Sequence, residues 1–259
     1  MIKVYRDTTS KKSLDPKKSR KRVEAYKKDF SLWGDDFERF PEKMFFIYKE
    51  YLKKVDHESF VLFDVGAAEG IYSCIVPEFK TDFSVVCFEP ETERLEVLLE
   101  NLENKDILGD FEIYQKIVSN ETSDLCYLKE WTEANDSGIG AGSATIIDTE
   151  DTNPKRRATL VPYQSVKLDD FIDQFPNVDA LKIDVEGAEI KVLEGAKGFI
   201  QRFKPVIFLE LHTSARFNSC TLGQVKEVIK ETGVKYSFKL INKHGGELEY
   251  YIITPKKEK

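Results

Sequence analysis

No stretch of the chain approaches the roughly 20 consecutive apolar residues that span a bilayer. The opening residues, MIKVYRDTTSKKSLDPKKSRKR, also lack the apolar segment of a secretory signal. The expectation is a cytoplasmic protein without a membrane span. Cysteine is scarce: Cys74, Cys87, Cys126 and Cys220 stand far apart with no CxxC pair, which argues against a zinc ribbon or a disulfide framework. Histidine occurs only at His57, His212 and His244. The GxGxxG fingerprint of dinucleotide folds and the Gly-Lys-[Ser/Thr] of a P-loop are both missing. There is no internal repeat.

What is present is enough for a sizeable core. The 259 residues are 41% apolar and include 18 Phe and 11 Tyr, a composition that folds rather than stays disordered. The net charge of −7 hides an asymmetry, because residues 1–30 hold eleven Lys/Arg against four Asp/Glu. That stretch is read as a basic, flexible tail, open to a polyanionic partner. Residues 31–57 form an N-terminal helical segment: Phe40, Met44, Tyr48, Leu52 and Val55 recur at helical spacing. The main domain is 58–259.

Within that domain short apolar runs alternate with amphipathic stretches. FVLFDVG (60–66), SVVCFEP (84–90), FEIYQKIVS (111–119), VDALKID (178–184) and PVIFLELH (205–212) read as strands. The stretches bearing Leu95, Leu98, Leu99 and Leu102, and then Ile190, Leu193, Ala196 and Ile200, read as helices. Such alternation implies a parallel sheet covered on both faces. Thr221-Leu-Gly-Gln224 is a capping box, and Lys243-His-Gly-Gly246 reads as the turn of a closing antiparallel hairpin. The segment from about 120 to 165 breaks the rhythm and is read as an insertion at the sheet's mouth, with the glycines between 135 and 144 as a flexible lid.

Ligands of open α/β sheets bind at the carboxyl ends of the strands. The first strand ends in Asp64-Val-Gly66-Ala67-Ala-Glu69-Gly70, and the second ends in Glu89. A Gly-rich turn followed about 20 residues later by an acid suits an adenosine, with the acid on the ribose hydroxyls. Without GxGxxG, and with Glu69 set to repel a pyrophosphate, S-adenosylmethionine fits better than NAD.

FVLFDVGAAEGIYS, VVCFEPETERLEVLLENLE and LKIDVEGAEIKVLEGAKGFIQRFKPVIFLELH, together with VPYQSVKLDDFI, resemble the FkbM-type methyltransferases over about residues 58–253. The resemblance implies a Rossmann-like class I α/β fold with a mostly parallel seven-stranded sheet, S-adenosylmethionine as donor, and a hydroxyl acceptor on a sugar, glycan precursor or other small metabolite. It places Asp64, Gly66, Ala67 and Gly70 at the methionine part of the donor. Glu69, in the same loop, is a further cofactor-binding candidate, and many relatives carry Asn at that position or beside it. Glu89 then falls at the ribose, Ser119 near the adenine, and Asp184 and Glu186 near the sulfur. The strand period puts Lys182 with Asp184, and Glu210 with His212, on common faces. These four are the candidate catalytic residues. His212 is the first choice for general base, because an imidazole titrates in the useful range, and Glu210 would orient it or act as base itself. Asp184, Glu210 and His212 also have the donor types for a divalent ion, although the reading does not require a metal. Two alternatives stand beside it: a NAD-dependent oxidoreductase or epimerase on the same sheet, and a non-catalytic polyanion- or RNA-binding module that uses the tail.

Overall fold

Buried β-branched and aromatic runs pair into a central sheet, while the helical stripes pack on its two faces. The computed structural model describes residues 1–8, 20, 23, 24, 27, 42–56, 59–103, 109–131, 145, 146, 158–214 and 220–257. His57, the glycines between 135 and 144, and most of the basic stretch lie outside the described residues. No helix among the described residues is long and apolar enough to cross a membrane.

In chain order the elements are β1 (Ile2–Tyr5), α1 (Glu42–Lys54), β2 (Phe60–Val65), α2 (Ile71–Cys74), β3 (Phe83–Phe88), α3 (Thr92–Glu103), β4 (Asp110–Tyr114), β5 (Ile117–Val118), β6 (Ser123–Trp131), β7 (Thr145–Ile146) and β8 (Ala158–Val166). After a 3-10 helix, Leu168–Gln174, come β9 (Ala180–Ile183), α4 (Glu189–Glu194), α5 (Lys197–Phe203), β10 (Val206–His212), α6 (Leu222–Glu231), β11 (Tyr236–His244) and β12 (Leu248–Pro255).

The main sheet has eight strands in the order β1-β4-β3-β2-β9-β10-β12-β11, one more than the seven expected. The extra strand is β1, which pairs in parallel with β4 through Ile2↔Phe111 to Tyr5↔Tyr114. It lies within the stretch read as a tail. The overall positive charge of residues 1–30 conceals the extended Ile2-Lys-Val-Tyr5, whose Tyr5 ring stacks on Tyr114 at 4.4 Å. The sheet is mixed because β12 runs antiparallel to both its neighbours. The final hairpin turns at Gly245 and Gly246, both at positive φ, as a type I′ turn requires. The capping box on α6 forms as expected: Thr221 Oγ1 accepts from the Gln224 N–H.

Two sequence-derived elements are divided in the structure. The run 111–119 becomes β4 in the main sheet and β5 in a second, four-stranded sheet, β5-β8-β6-β7. The expected insertion thus supplies a packed layer, with Ile117, Leu128, Val161 and Tyr163 buried against Ala188. The helix through Ile190 and Ile200 breaks into α4 and α5 at Gly195, where a Cβ would lie 2.0 Å from the Ser119 carbonyl oxygen. Overpacking of this kind costs about 1–3 kcal/mol. Gly195→Ala is therefore expected to lower the denaturant midpoint, and an unchanged midpoint would show that the two backbones can move apart freely.

The main core occupies both faces of the sheet. One side gathers Phe63, Phe88, Leu181, Phe199 and Leu209, and the other buries the α1 stripe Met44, Phe45, Tyr48 and Leu52 against Phe60, Leu62 and Phe208. Strand order reverses at β2, since the chain steps outward through β3 and β4 and then returns to β9 on the other side of β2. A crevice opens at such a point, beyond the carboxyl ends of the strands.

Candidate active site

The crevice is a cleft whose empty volume, open mouth included, is about 620 Å³. Its lining comes from the β2 end (Val65, Gly66, Ala68), the β3 end and the start of α3 (Phe88, Glu89, Pro90, Glu91, Arg94), the β5 region and β6 (Lys116, Ile117, Val118, Leu128) and the β9 end (Asp184, Val185, Glu186). The lining therefore combines carboxylates with apolar side chains.

Glu89 is held by the backbone on both oxygens. Ala68 N–H donates to Oε2 at 2.9 Å and Glu91 N–H donates to Oε1 at 2.8 Å. Burial pushes its pKa up to about 7, with Glu91 adding to the rise while Arg94 and the two N–H groups oppose it. Each oxygen retains a lone pair, so the fixed carboxylate can still accept from a ligand's hydroxyls.

Of the residues expected around the donor, Gly66, Glu89, Asp184 and Glu186 line the cleft, whereas Asp64, Ala67, Glu69, Gly70 and Ser119 are not among its lining residues. Gly66 is at φ 76 and a Cβ there would sit 1.8 Å from the Asp184 carbonyl oxygen, so the glycine lets the β2 and β9 turns meet. Asp64 is buried, accepts from Ser73 Oγ at 2.6 Å and lies 3.4 Å from Lys182 Nζ. A Cβ on Gly70 would meet Leu98 at 2.3 Å, which makes that glycine a packing contact between helices. Glu69 is bound by Arg94 at 3.1 Å. Its charge is thus met, and it gives no ground for repelling a pyrophosphate. Ser119 is displaced because the strand that carries it splits; Lys116, Ile117 and Val118 take the wall instead. Arg94, Lys116 and Leu128 were not foreseen. Arg94 follows Glu91 by three residues on a helix, a spacing visible in sequence, whereas Leu128 comes from a strand whose placement is fixed only by the second sheet.

Beyond Asp184 lies a network of charges. Lys182 Nζ donates to the Gly66 carbonyl at 2.5 Å and sits 3.7 Å from Asp184. Burial disfavours the ammonium, but Asp64, Asp184 and Glu210 outweigh it and raise its pKa. Lys182 is therefore a fixed cation and not a proton acceptor. His212 is 2% exposed, with Nδ1 2.7 Å from Glu189 Oε1 and Nε2 3.2 Å from Glu186 Oε2. Burial lowers its pKa, yet the hydrogen bonds to Glu186 and Glu189 prevail and raise it to about 11. An imidazole whose pKa is raised in this way holds its proton more tightly than a free one, which argues against the general-base role expected of it. Glu210 behaves in the opposite way. Burial, with Asp184 and Glu186 adding and His212 and Lys182 opposing, raises its pKa to about 8, and the Tyr250 hydroxyl donates to it at 3.0 Å.

Ligand atoms of Asp184, Glu210 and His212 lie within 4.8 Å of one another. Their charges are already met inside the protein: Lys182 faces Asp184, Tyr250 binds Glu210, and both nitrogens of His212 face carboxylates. The set suits a network that holds protons better than a cation cage.

Comparison with known proteins agrees with this geometry. The methyltransferase FkbM domain model matches residues 64–251. A hexuronic acid methyltransferase, AglP of Haloferax volcanii, is 26% identical over 157 residues, which are 60% of this chain and 57% of that protein. The crystal structure of a methyltransferase FkbM from Methylobacillus flagellatus KT aligns with TM-score 0.50 at 16% identity, covering 91% of this chain and 58% of that one, a likeness of fold. With its cleft at the strand-order reversal and a family match that runs from β2 into β12, this chain belongs to the FkbM methyltransferase domain family.

Proposed function

We propose that the protein is an S-adenosylmethionine-dependent methyltransferase that O-methylates a hydroxyl on a sugar, a glycan precursor or another small metabolite. The observation that carries this reading is a cleft lined by Glu89, Asp184 and Glu186, with the carboxyl group of Glu210, whose pKa burial raises to about 8, within 4.8 Å of that of Asp184. The residues present suit the donor. Glu89 would accept from the ribose hydroxyls, Ile117, Val118 and Leu128 would flank the adenine, and Asp184 with Glu186 would face the positively charged sulfonium. The donor supplies an electrophilic methyl group for in-line displacement by the acceptor oxygen.

The chain's own residues do the rest. Glu210 takes the proton of the acceptor hydroxyl, and Tyr250 fixes the direction of its carboxyl. Lys182 bridges the β2 turn and Asp184, two parts of the cleft lining. Asp64, Asp184, Glu186, Glu189 and Glu210 gather around two cations, Lys182 and His212. This excess of negative charge favours a neutral hydroxyl over an anionic acceptor oxygen. A hexuronic acid, which the Haloferax relative's name indicates for that protein, offers both.

A nicotinamide reading finds less support. Tyr163 and Lys167 have the Tyr-x-x-x-Lys spacing of a proton relay, but Tyr163 is buried in β8 and Lys167 follows that strand, so the two do not share a helix face. Calorimetric titration with S-adenosylhomocysteine and with NAD tests the donor. Transfer of labelled methyl from S-adenosylmethionine to hexuronic acids and to neutral sugars then tests the acceptor. Binding of NAD in preference would overturn the proposal.

A further inference from the structure

We infer that His212 is a positioning residue: its ring ties the turn Asp184–Gly187, which walls the cleft, to the buried start of α4. The inference rests on the donor reading above and assigns a role to a histidine that the proposed chemistry does not use.

The turn is built against its own preferences. Glu186 has φ 51 and Gly187 φ 97, and a non-glycine residue in the left-handed region persists only where the surroundings hold it there. His212 provides that hold from β10, a different element. Nε2 lies 3.2 Å from Glu186 Oε2, on the turn, and Nδ1 lies 2.7 Å from Glu189 Oε1, in the first turn of α4. The same Glu189 oxygen accepts from the Gly187 N–H at 2.9 Å. The backbone closes the loop a second time, since the Cys220 N–H donates to the His212 carbonyl at 3.1 Å and Cys220 Sγ contacts the Gly187 carbonyl at 3.3 Å. An imidazole with a donor on each side bridges two carboxylates in opposite directions. Asp184, Val185 and Glu186 are the cleft wall, so movement of the turn changes the shape that the donor meets. Glu210, whose Oε1 is 3.9 Å from Nε2, faces the ring from β10 itself.

The test uses the full chain and S-adenosylhomocysteine as the calorimetric probe. Asparagine can replace only the Nδ1 side of the ring, so His212→Asn keeps a partner for Glu189 and frees Glu186. Its dissociation constant for the probe is expected to rise at least about tenfold. A general base would behave differently: its loss would lower kcat and leave probe binding unchanged. If His212→Asn does not fold, His212→Asn combined with Glu189→Gln, which neutralises the buried carboxyl group that the asparagine leaves without a cationic partner, takes its place. Weakened binding in a folded variant supports the positioning role, and wild-type affinity in either folded variant overturns it. If the wild-type chain does not bind the probe, the donor reading fails first and this inference falls with it.

Discussion

Glu210→Gln is expected to reduce kcat about 10²- to 10⁴-fold, the usual contribution of a general base, while S-adenosylhomocysteine binding changes little. The amide can still accept the Tyr250 hydroxyl, so the fold is kept and only proton acceptance is lost. The wild-type pH profile follows from the same group. Glu210 must be ionised to act, so kcat rises with pH and levels off above about 8. In the variant that rising limb disappears; a limb that survives would move the base elsewhere, with Asp184 next in line. The linkage to stability has the opposite slope. Because folding raises this pKa above its ordinary 4.5, its contribution to stability is complete below about 4.5 and is lost as pH climbs through about 8. The site becomes competent over the interval in which it becomes less comfortable.

Glu89→Ala is expected to weaken S-adenosylhomocysteine binding about 100-fold. Two hydrogen bonds to a charged group, at about 1.5–3 kcal/mol each, exceed the roughly 2.7 kcal/mol that this factor represents. The substitution also leaves the N–H groups of Ala68 and Glu91 without the acceptor they share. Thermal melting alongside the titration separates a lost contact from a collapsed turn. In the wild type, affinity is expected to increase as pH rises through about 7, where Glu89 ionises, because hydroxyl donors bind a carboxylate more strongly than a neutral acid. Folding raises this pKa too, so its share of stability, present below about 4.5, declines as pH rises to about 7. Affinity that ignores both pH and the substitution would place the donor elsewhere.

Much of the fold was legible because burial and periodicity speak locally. The runs ending at Val65, Phe88, Ile183 and His212 became strands, and Thr221 with Gln224 capped a helix as written. What was hidden depends on partners distant in the chain. Ile2–Tyr5 is a strand only because residues 111–114 offer it an edge, and Gly195 breaks a helix only because Ser119 lies against it. The site divides in the same way. Glu89 and Asp184 were visible as acids at strand ends. That the His212 pKa is raised depends on Glu186 and Glu189, which approach it from a turn and a helix that no spacing rule connects to β10. Glu69 appeared as a bare charge until Arg94 was found beside it.

The pairing of β1 with β4 also bears on the order of events during folding. Ile2 meets Phe111, so β1 is separated by more than a hundred residues from the strand whose edge it covers. Closing so long a loop is entropically slow. The strands β2, β3 and β4 can associate among themselves meanwhile, leaving the outer edge of β4 open, and an open edge invites pairing with a neighbouring chain. The strand β1 therefore acts as a late seal on the edge of β4.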